Sequence, residues 1–165
     1  MNLRDSCNAF AAFVVRLWSD LHRDRYLAAL RVRDEQYVTK AKPIIIVIDD
    51  DLSILRALRR LVSGAGFEVR TFDRPSALLK SDLPKTGACL IVDIDLPEMN
   101  GVELCATLAT SGCRLPVILI TAHTDDETRR LADGAHAVAL LIKPFGRELL
   151  VNSIENALLA GQDGP

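Results

Sequence analysis

Asp49, Asp50, Asp51, Asp93, Thr121 and Lys143 each stand at the end of an apolar run, and all are side chains suited to handling phosphate. The runs are Pro43–Ile48, Cys89–Val92, Val117–Ile120 and Ala137–Ile142, the last closing on Lys143-Pro144. In an open parallel sheet, ligands bind beyond the carboxyl ends of the strands. Carboxylates, a hydroxyl and an ammonium would then converge on one edge, as a metal-and-phosphate site requires. Two unit charges ~5 Å apart at an effective dielectric of ~20 repel by about 3 kcal/mol, so clustered acids need a counter-charge or raised pKa values. Mg²⁺ would supply that charge, because it takes oxygen ligands and keeps waters for an incoming phosphate. Lys143 would add a second cation able to stabilise the oxygens of a transferring phosphoryl group. An Asp carboxylate is a competent nucleophile toward phosphorus, forming an acyl phosphate, and Thr121 could hydrogen-bond a phosphate oxygen. The set is sufficient for reversible aspartyl phosphorylation.

Elements that could hold these residues alternate from Pro43 onward. After the strand Ile44–Ile48, Leu52–Ser63 places Leu55, Leu58, Leu61 and Val62 on one helical face before Gly64 and Gly66 end it. Glu68–Phe72 reads as strand two, Pro75 to about Leu83 as a helix, Cys89–Val92 as strand three and Val102 to about Ala109 as the next helix. Val117–Ile120, a polar helix near Asp125–Ala132, strand five at Ala137–Ile142 and a last helix from Phe145-Gly146 complete the order. That last helix is expected to turn Leu149, Leu150, Ile154 and Leu158 inward. Strands one, three, four and five are nearly continuous apolar runs, the pattern of strands buried on both faces. The fold class expected is α/β: a doubly wound, flavodoxin-like parallel sheet of five strands, order 2-1-3-4-5, in three α/β/α layers.

The 165 residues suffice for one domain with a substantial core plus an appendage. Charge is uneven. Residues 1–42 hold eight Lys/Arg against five Asp/Glu, or +3, whereas the remainder holds twelve against seventeen, or −5. An acidic body argues against broad nucleic-acid binding through its surface. Cys7, Cys89, Cys105 and Cys113 show no CxxC spacing and read as reduced, packed thiols. No stretch reaches the roughly 18 apolar residues needed to span a bilayer, and a cytoplasmic protein is expected. In the first 42 residues, Phe10, Phe13, Val14, Leu17, Trp18 and Leu21 fall at helical spacing, consistent with an amphipathic helix over Asn8–Arg33 and a linker at Lys40–Pro43. A dimerisation or partner helix, a helix packed on the body and a poorly ordered extension are equally open readings. The domains expected are thus 1–42 as extension, 43–161 as the α/β domain and 162–165 as tail.

Val47-Ile-Asp-Asp-Asp51, Leu90-Ile-Val-Asp-Ile-Asp-Leu-Pro-Glu-Met-Asn-Gly101, Leu119-Ile-Thr-Ala122 and Ile142-Lys-Pro-Phe145 together resemble the receiver domain of bacterial response regulators, the CheY-like superfamily. The wording is most similar to NarL/FixJ-type receivers, and the match runs from about Lys42 to Ala160. The resemblance implies that Asp93 accepts a phosphoryl group from a histidine kinase or phosphotransfer protein. It implies that Asp49 and Asp50 hold Mg²⁺, with Asp93 and the backbone carbonyl of Asp95 completing the protein's metal contacts. Thr121 corresponds to the switch hydroxyl, beside a small Ala122, and Lys143 to the phosphate-binding lysine. Pro97 and Gly101 match the turn that shapes the loop after strand three, and the Lys143–Pro144 bond is usually cis in this family.

Some features depart from the family pattern. Leu140 stands where many receivers carry a Tyr or Phe. Gly134-Ala135 lies nine residues before Lys143, two more than is common, which leads to the expectation that the fourth helix ends early. Asp95 and His123 occupy two variable positions flanking the site. Taken singly, each feature also has a plain structural reading: Asp49–Asp51 as an acidic helix cap, Asp93 as a loop acid, Thr121 as a strand terminator, Lys143 as a surface lysine. Asp51 is expected to cap and not to bind metal. The three histidines show no metal-ligand spacing. The functional expectation is a stand-alone receiver of a two-component phosphorelay, a phosphoacceptor and not an enzyme beyond slow self-catalysis, signalling by protein contact, with a homodimer as an open assembly state. Alternatives are a phosphorylation-independent binding module on the same fold, or a Mg²⁺-dependent phosphatase using the Asp93-Ile-Asp95 pattern.

Overall fold

The computed structural model of the protein describes residues 42–161. The expected helical extension over Asn8–Arg33 and the tail 162–165 lie outside the described residues. In chain order the elements are β1 (Ile44–Ile48), α1 (Leu52–Ser63), β2 (Glu68–Phe72), α2 (Pro75–Leu79), β3 (Ala88–Asp93), α3 (Gly101–Thr110), β4 (Val117–Thr121), α4 (Asp126–Gly134), β5 (Ala139–Ile142) and α5 (Arg147–Ala160). All strand pairs are parallel, in the order β2-β1-β3-β4-β5. The fold class read from the sequence is therefore the one observed.

The continuous apolar runs have the cause anticipated for them. β1 and β3 are central and covered on both sides, so alternate side chains enter two separate cores. Ile45, Val47, Cys89, Ile91, Ile118 and Ile120 pack with Leu55, Leu58 and Val62 of α1 and Leu150, Ile154 and Ala157 of α5. Ile46, Ile48, Leu90, Val92 and Leu119 pack with Leu78 of α2 and Leu104, Cys105 and Leu108 of α3. Each fully buried Ile or Leu is worth roughly 1.5–3 kcal/mol relative to exposure, and twelve large side chains among the described residues are fully buried. These strands are consequently rigid supports for whatever their ends carry. β2 and β5 are the edges, and their residues are correspondingly less buried.

Several boundaries differ from the sequence reading. α2 stops at Leu79 rather than near Leu83, because the Ser81 N–H and hydroxyl both donate to the Leu78 carbonyl and close the turn, at 3.0 and 2.7 Å. β5 begins at Ala139, not Ala137, since His136 takes a left-handed φ of 51° and the chain is still turning there. α4 does not end early but continues to Gly134. Leu149, expected to face inward, is 52% exposed, because Leu150, Ser153, Ile154 and Ala157 form the buried stripe of α5.

Candidate functional site

Three strand ends and two loops supply the site. Asp49 follows β1 directly, Asp93 is the last residue of β3, and Thr121 is the last of β4. The register pairs Ile48 with Val92 and Asp93 with Ile120, so these ends lie level along one sheet edge. Asp49 and Asp93 are buried, at 0% and 4% exposure, and Asp50 is exposed. One carboxylate oxygen from each of Asp49, Asp50 and Asp93 lies within 4.8 Å of the others. The expected acidic cluster is assembled.

Lys143 sits between the two buried acids. Its Nζ lies 2.7 Å from Asp49 Oδ2 and 3.0 Å from Asp93 Oδ2. The backbone holds it there: Lys143 N donates to the Thr121 carbonyl at 2.7 Å, and the Lys143–Pro144 peptide is cis. Burial alone would depress the Lys143 pKa, but the hydrogen bonds to Asp49 and Asp93 outweigh it and the net shift is upward. The Asp93 carboxyl is moved up, first by burial and further by the charges of Asp49 and Asp95, against the opposing pull of Lys143. Three carboxylates, when all are ionised, outnumber the one ammonium beside them.

A second observation points to a ligand. Asp93 Oδ1 is a buried oxygen with no hydrogen-bond partner among the described residues. Leaving such an acceptor unsatisfied is costly, and a hard cation or a phosphoryl group at this edge would satisfy it. The donor set is all oxygen, as Mg²⁺ prefers. The residues therefore fit the metal the resemblance implies.

The neighbouring polar groups are positioned as well. Thr121 Oγ1 accepts from the His123 N–H at 3.0 Å and donates to Asp95 Oδ2 at 3.5 Å, a long bond. His123 Nε2 lies 3.6 Å from the same Asp95 oxygen. Asp51, given no ligand role from sequence, caps α1 by accepting from Ser53 N at 2.7 Å and Ile54 N at 3.4 Å. Those bonds, the Ser53 N–H foremost, lower its carboxyl pKa. The Asp51 N–H in turn donates to Asp49 Oδ1 at 2.9 Å, which orients that acid.

Gly101 shows why the loop after β3 carries the residues it does. A Cβ at this position would overlap the Asp93 carbonyl oxygen and lie 2.9 Å from the Asp93 carbonyl carbon. Only glycine lets α3 start directly over the end of β3. Asn100 and Glu103 form a reciprocal capping box that fixes this start. Pro97 accepts from the Met99 N–H at 2.9 Å, forming the expected turn. One feature of this loop was missed: Glu98 has a left-handed φ of 72°, and its carboxylate accepts from Ser76 N at 3.0 Å and Ser76 Oγ at 3.1 Å. No local signal marks a bond spanning 22 residues.

With this geometry in place, comparison with known proteins decides the family. The profile of the response regulator receiver domain matches residues 45–155. The chain belongs to that family. It is 34% identical to the response regulator protein TmoT of Ectopseudomonas mendocina, over 74% of this chain and 56% of that one. It is 36% identical to the DNA-binding transcriptional regulator NtrC of Escherichia coli, over 70% of this chain and 24% of that one. Among solved structures it is similar to the response regulator StyR (39% identity, TM-score 0.69, covering 74% of this chain and 62% of that one). It is also similar to full-length FixJ of B. japonicum (32% identity, TM-score 0.69, covering 75% and 61%). The chain spans about half the length of the first curated relatives it matches. Receivers belong to two-component systems, so this domain is a two-component response regulator receiver. Among the described residues, no helix is long and apolar enough to cross a membrane.

Proposed function

We propose that this receiver accepts a phosphoryl group on Asp93 from a histidine kinase or phosphotransfer protein, in the cytoplasm and with Mg²⁺ bound. The observation that carries the reading is the Asp93 carboxylate itself: buried, held at Oδ2 by Lys143, unpartnered at Oδ1, and beside two further acids. Asp49, Asp50, Asp93 and the backbone carbonyl of Asp95 would hold the metal, which supplies a counter-charge to the anionic phosphoryl group. In the transfer, an Asp93 oxygen bonds to phosphorus as the phosphorus–nitrogen bond of the donor phosphohistidine breaks, and the departing imidazole takes a proton from solvent. Lys143 is placed to hold a phosphoryl oxygen. Thr121, whose hydroxyl now faces Asp95, would exchange that long bond for one to the phosphoryl group.

The protein acts here as a phosphoacceptor rather than a turnover enzyme, and its output passes through protein contacts. Transfer of label from a phosphorylated histidine kinase tests acceptance: the label should appear on this chain, be released by hydroxylamine as an acyl phosphate, and be absent in Asp93→Asn. A beryllofluoride titration followed by NMR tests the switch. Shifts spreading from Asp93 to Thr121 and β5 support it, whereas unchanged β5 signals favour a phosphorylation-independent binding module.

A further inference from the structure

We propose that Glu98 is a positioning residue for the metal site, acting as a latch between the acceptor loop and the start of α2. This inference rests on the receiver reading of the Asp93 site. The loop 94–100 leaves the sheet where Ile94 N donates to the Ile120 carbonyl at 2.9 Å, and it closes where Gly101 N donates to the Ile94 carbonyl at 2.9 Å. Between these anchors lies Asp95, whose backbone carbonyl is one of the four proposed protein ligands of the cation. A backbone ligand cannot be aimed by a rotamer. Its position is only as fixed as the loop that carries it.

Glu98 fixes that loop at mid-span. Its two carboxylate oxygens each take one bond from Ser76, Oε2 from the backbone N–H and Oε1 from the hydroxyl. Two parallel bonds to one residue define direction as well as distance. Ser76 is itself held, because it follows Pro75 in the first turn of α2, and Pro75 and Leu78 are buried. The Arg74 guanidinium lies close enough for Glu98 to contribute to its raised pKa, after the larger effect of Asp73. The left-handed backbone of Glu98 belongs to the same device. An extended side chain residue rarely adopts φ near 72°, and such conformations persist where surrounding contacts over-determine them.

Replacing residues that orient metal ligands commonly weakens affinity by tenfold or more. The test is calorimetric titration of Mg²⁺ into the full chain carrying Glu98→Asn, Glu98→Gln or no substitution, with thermal melts of each. Asn tolerates left-handed backbone but is too short to reach Ser76. Glu98→Asn should bind Mg²⁺ on the order of tenfold more weakly while melting near the wild type without metal. Gln has the original length and retains an acceptor oxygen, so Glu98→Gln should recover most of the affinity. Wild-type affinity in Glu98→Asn overturns the latch. Equal losses in Asn and Gln variants also overturn it, since they assign the effect to charge rather than position. A lowered melting temperature with unchanged Mg²⁺ affinity would make Glu98 merely structural. Failure of the wild-type chain to bind Mg²⁺ would instead remove the receiver reading itself.

Discussion

Asp93 is placed in an environment that works against its own charge. Burial, the largest effect, raises its pKa above the ordinary 3.8; Lys143 opposes that shift and the charges of Asp49 and Asp95 add to it, with a net upward result. In metal-free protein the native state therefore keeps this proton to higher pH than the unfolded chain does. Stability falls as pH rises from the ordinary carboxyl pKa through the native one. Asp93→Asn removes the penalty and should melt at a higher temperature than wild type in metal-free buffer at neutral pH. Adding Mg²⁺ should reverse the order, because a ligand that binds only the native state stabilises it. Differential scanning calorimetry with and without Mg²⁺ checks both signs. Lys143→Ala has the opposite consequence: it leaves Asp49 buried without its cation, and breaking such a pair should cost about 3 kcal/mol in a urea titration. The side chains of this site were readable from sequence because each needs a specific functional group at a strand end. The Asp95–His123–Thr121 contacts were not, since they depend on the conformation of two loops that no periodicity describes.

At the scale of elements, strands and long helices follow directly from local chemistry, whereas boundaries depend on tertiary contacts. The apolar runs of β1, β3 and β4 could only be strands buried on both faces, and they are. α2 was read too long because the bonds from Ser81 to the Leu78 carbonyl compete with further helix. α4 was read too short because its helix tolerates Gly134 at its end. The junction of β3 and α3 is where element and function meet. Gly101→Ala would force the α3 start away from the Asp93 carbonyl, and overpacking of this kind typically costs about 2 kcal/mol. The same displacement should weaken Mg²⁺ binding, so the variant is expected to lose both stability in denaturant and affinity in calorimetry. A variant that lost neither would show that α3 can move without disturbing Asp93.

Among the described residues, two cores lie on either side of one sheet and enclose the side chains of Cys89 and Cys105. Burial pushes the Cys89 thiol up to about 12 and Cys105 up to about 11. Both should resist iodoacetamide at pH 8 in the folded protein and react only on unfolding, as peptide mapping by mass spectrometry would record. Rapid labelling of Cys89 in native buffer would contradict the close packing of β3. This rigidity is what lets five strand ends and loops present a cluster of like charges without collapse. The sheet order was legible because the parallel, crossover-linked pattern leaves few topologies, and the site was legible because that order brings β1 beside β3. That juncture is where phosphoryl transfer to Asp93 would take place. Intact mass measured after incubation with Mg²⁺ and acetyl phosphate tests it most directly. The wild type should gain one phosphoryl group and Asp93→Asn none; an unchanged wild-type mass, or an equal gain in both proteins, would rule out transfer to Asp93.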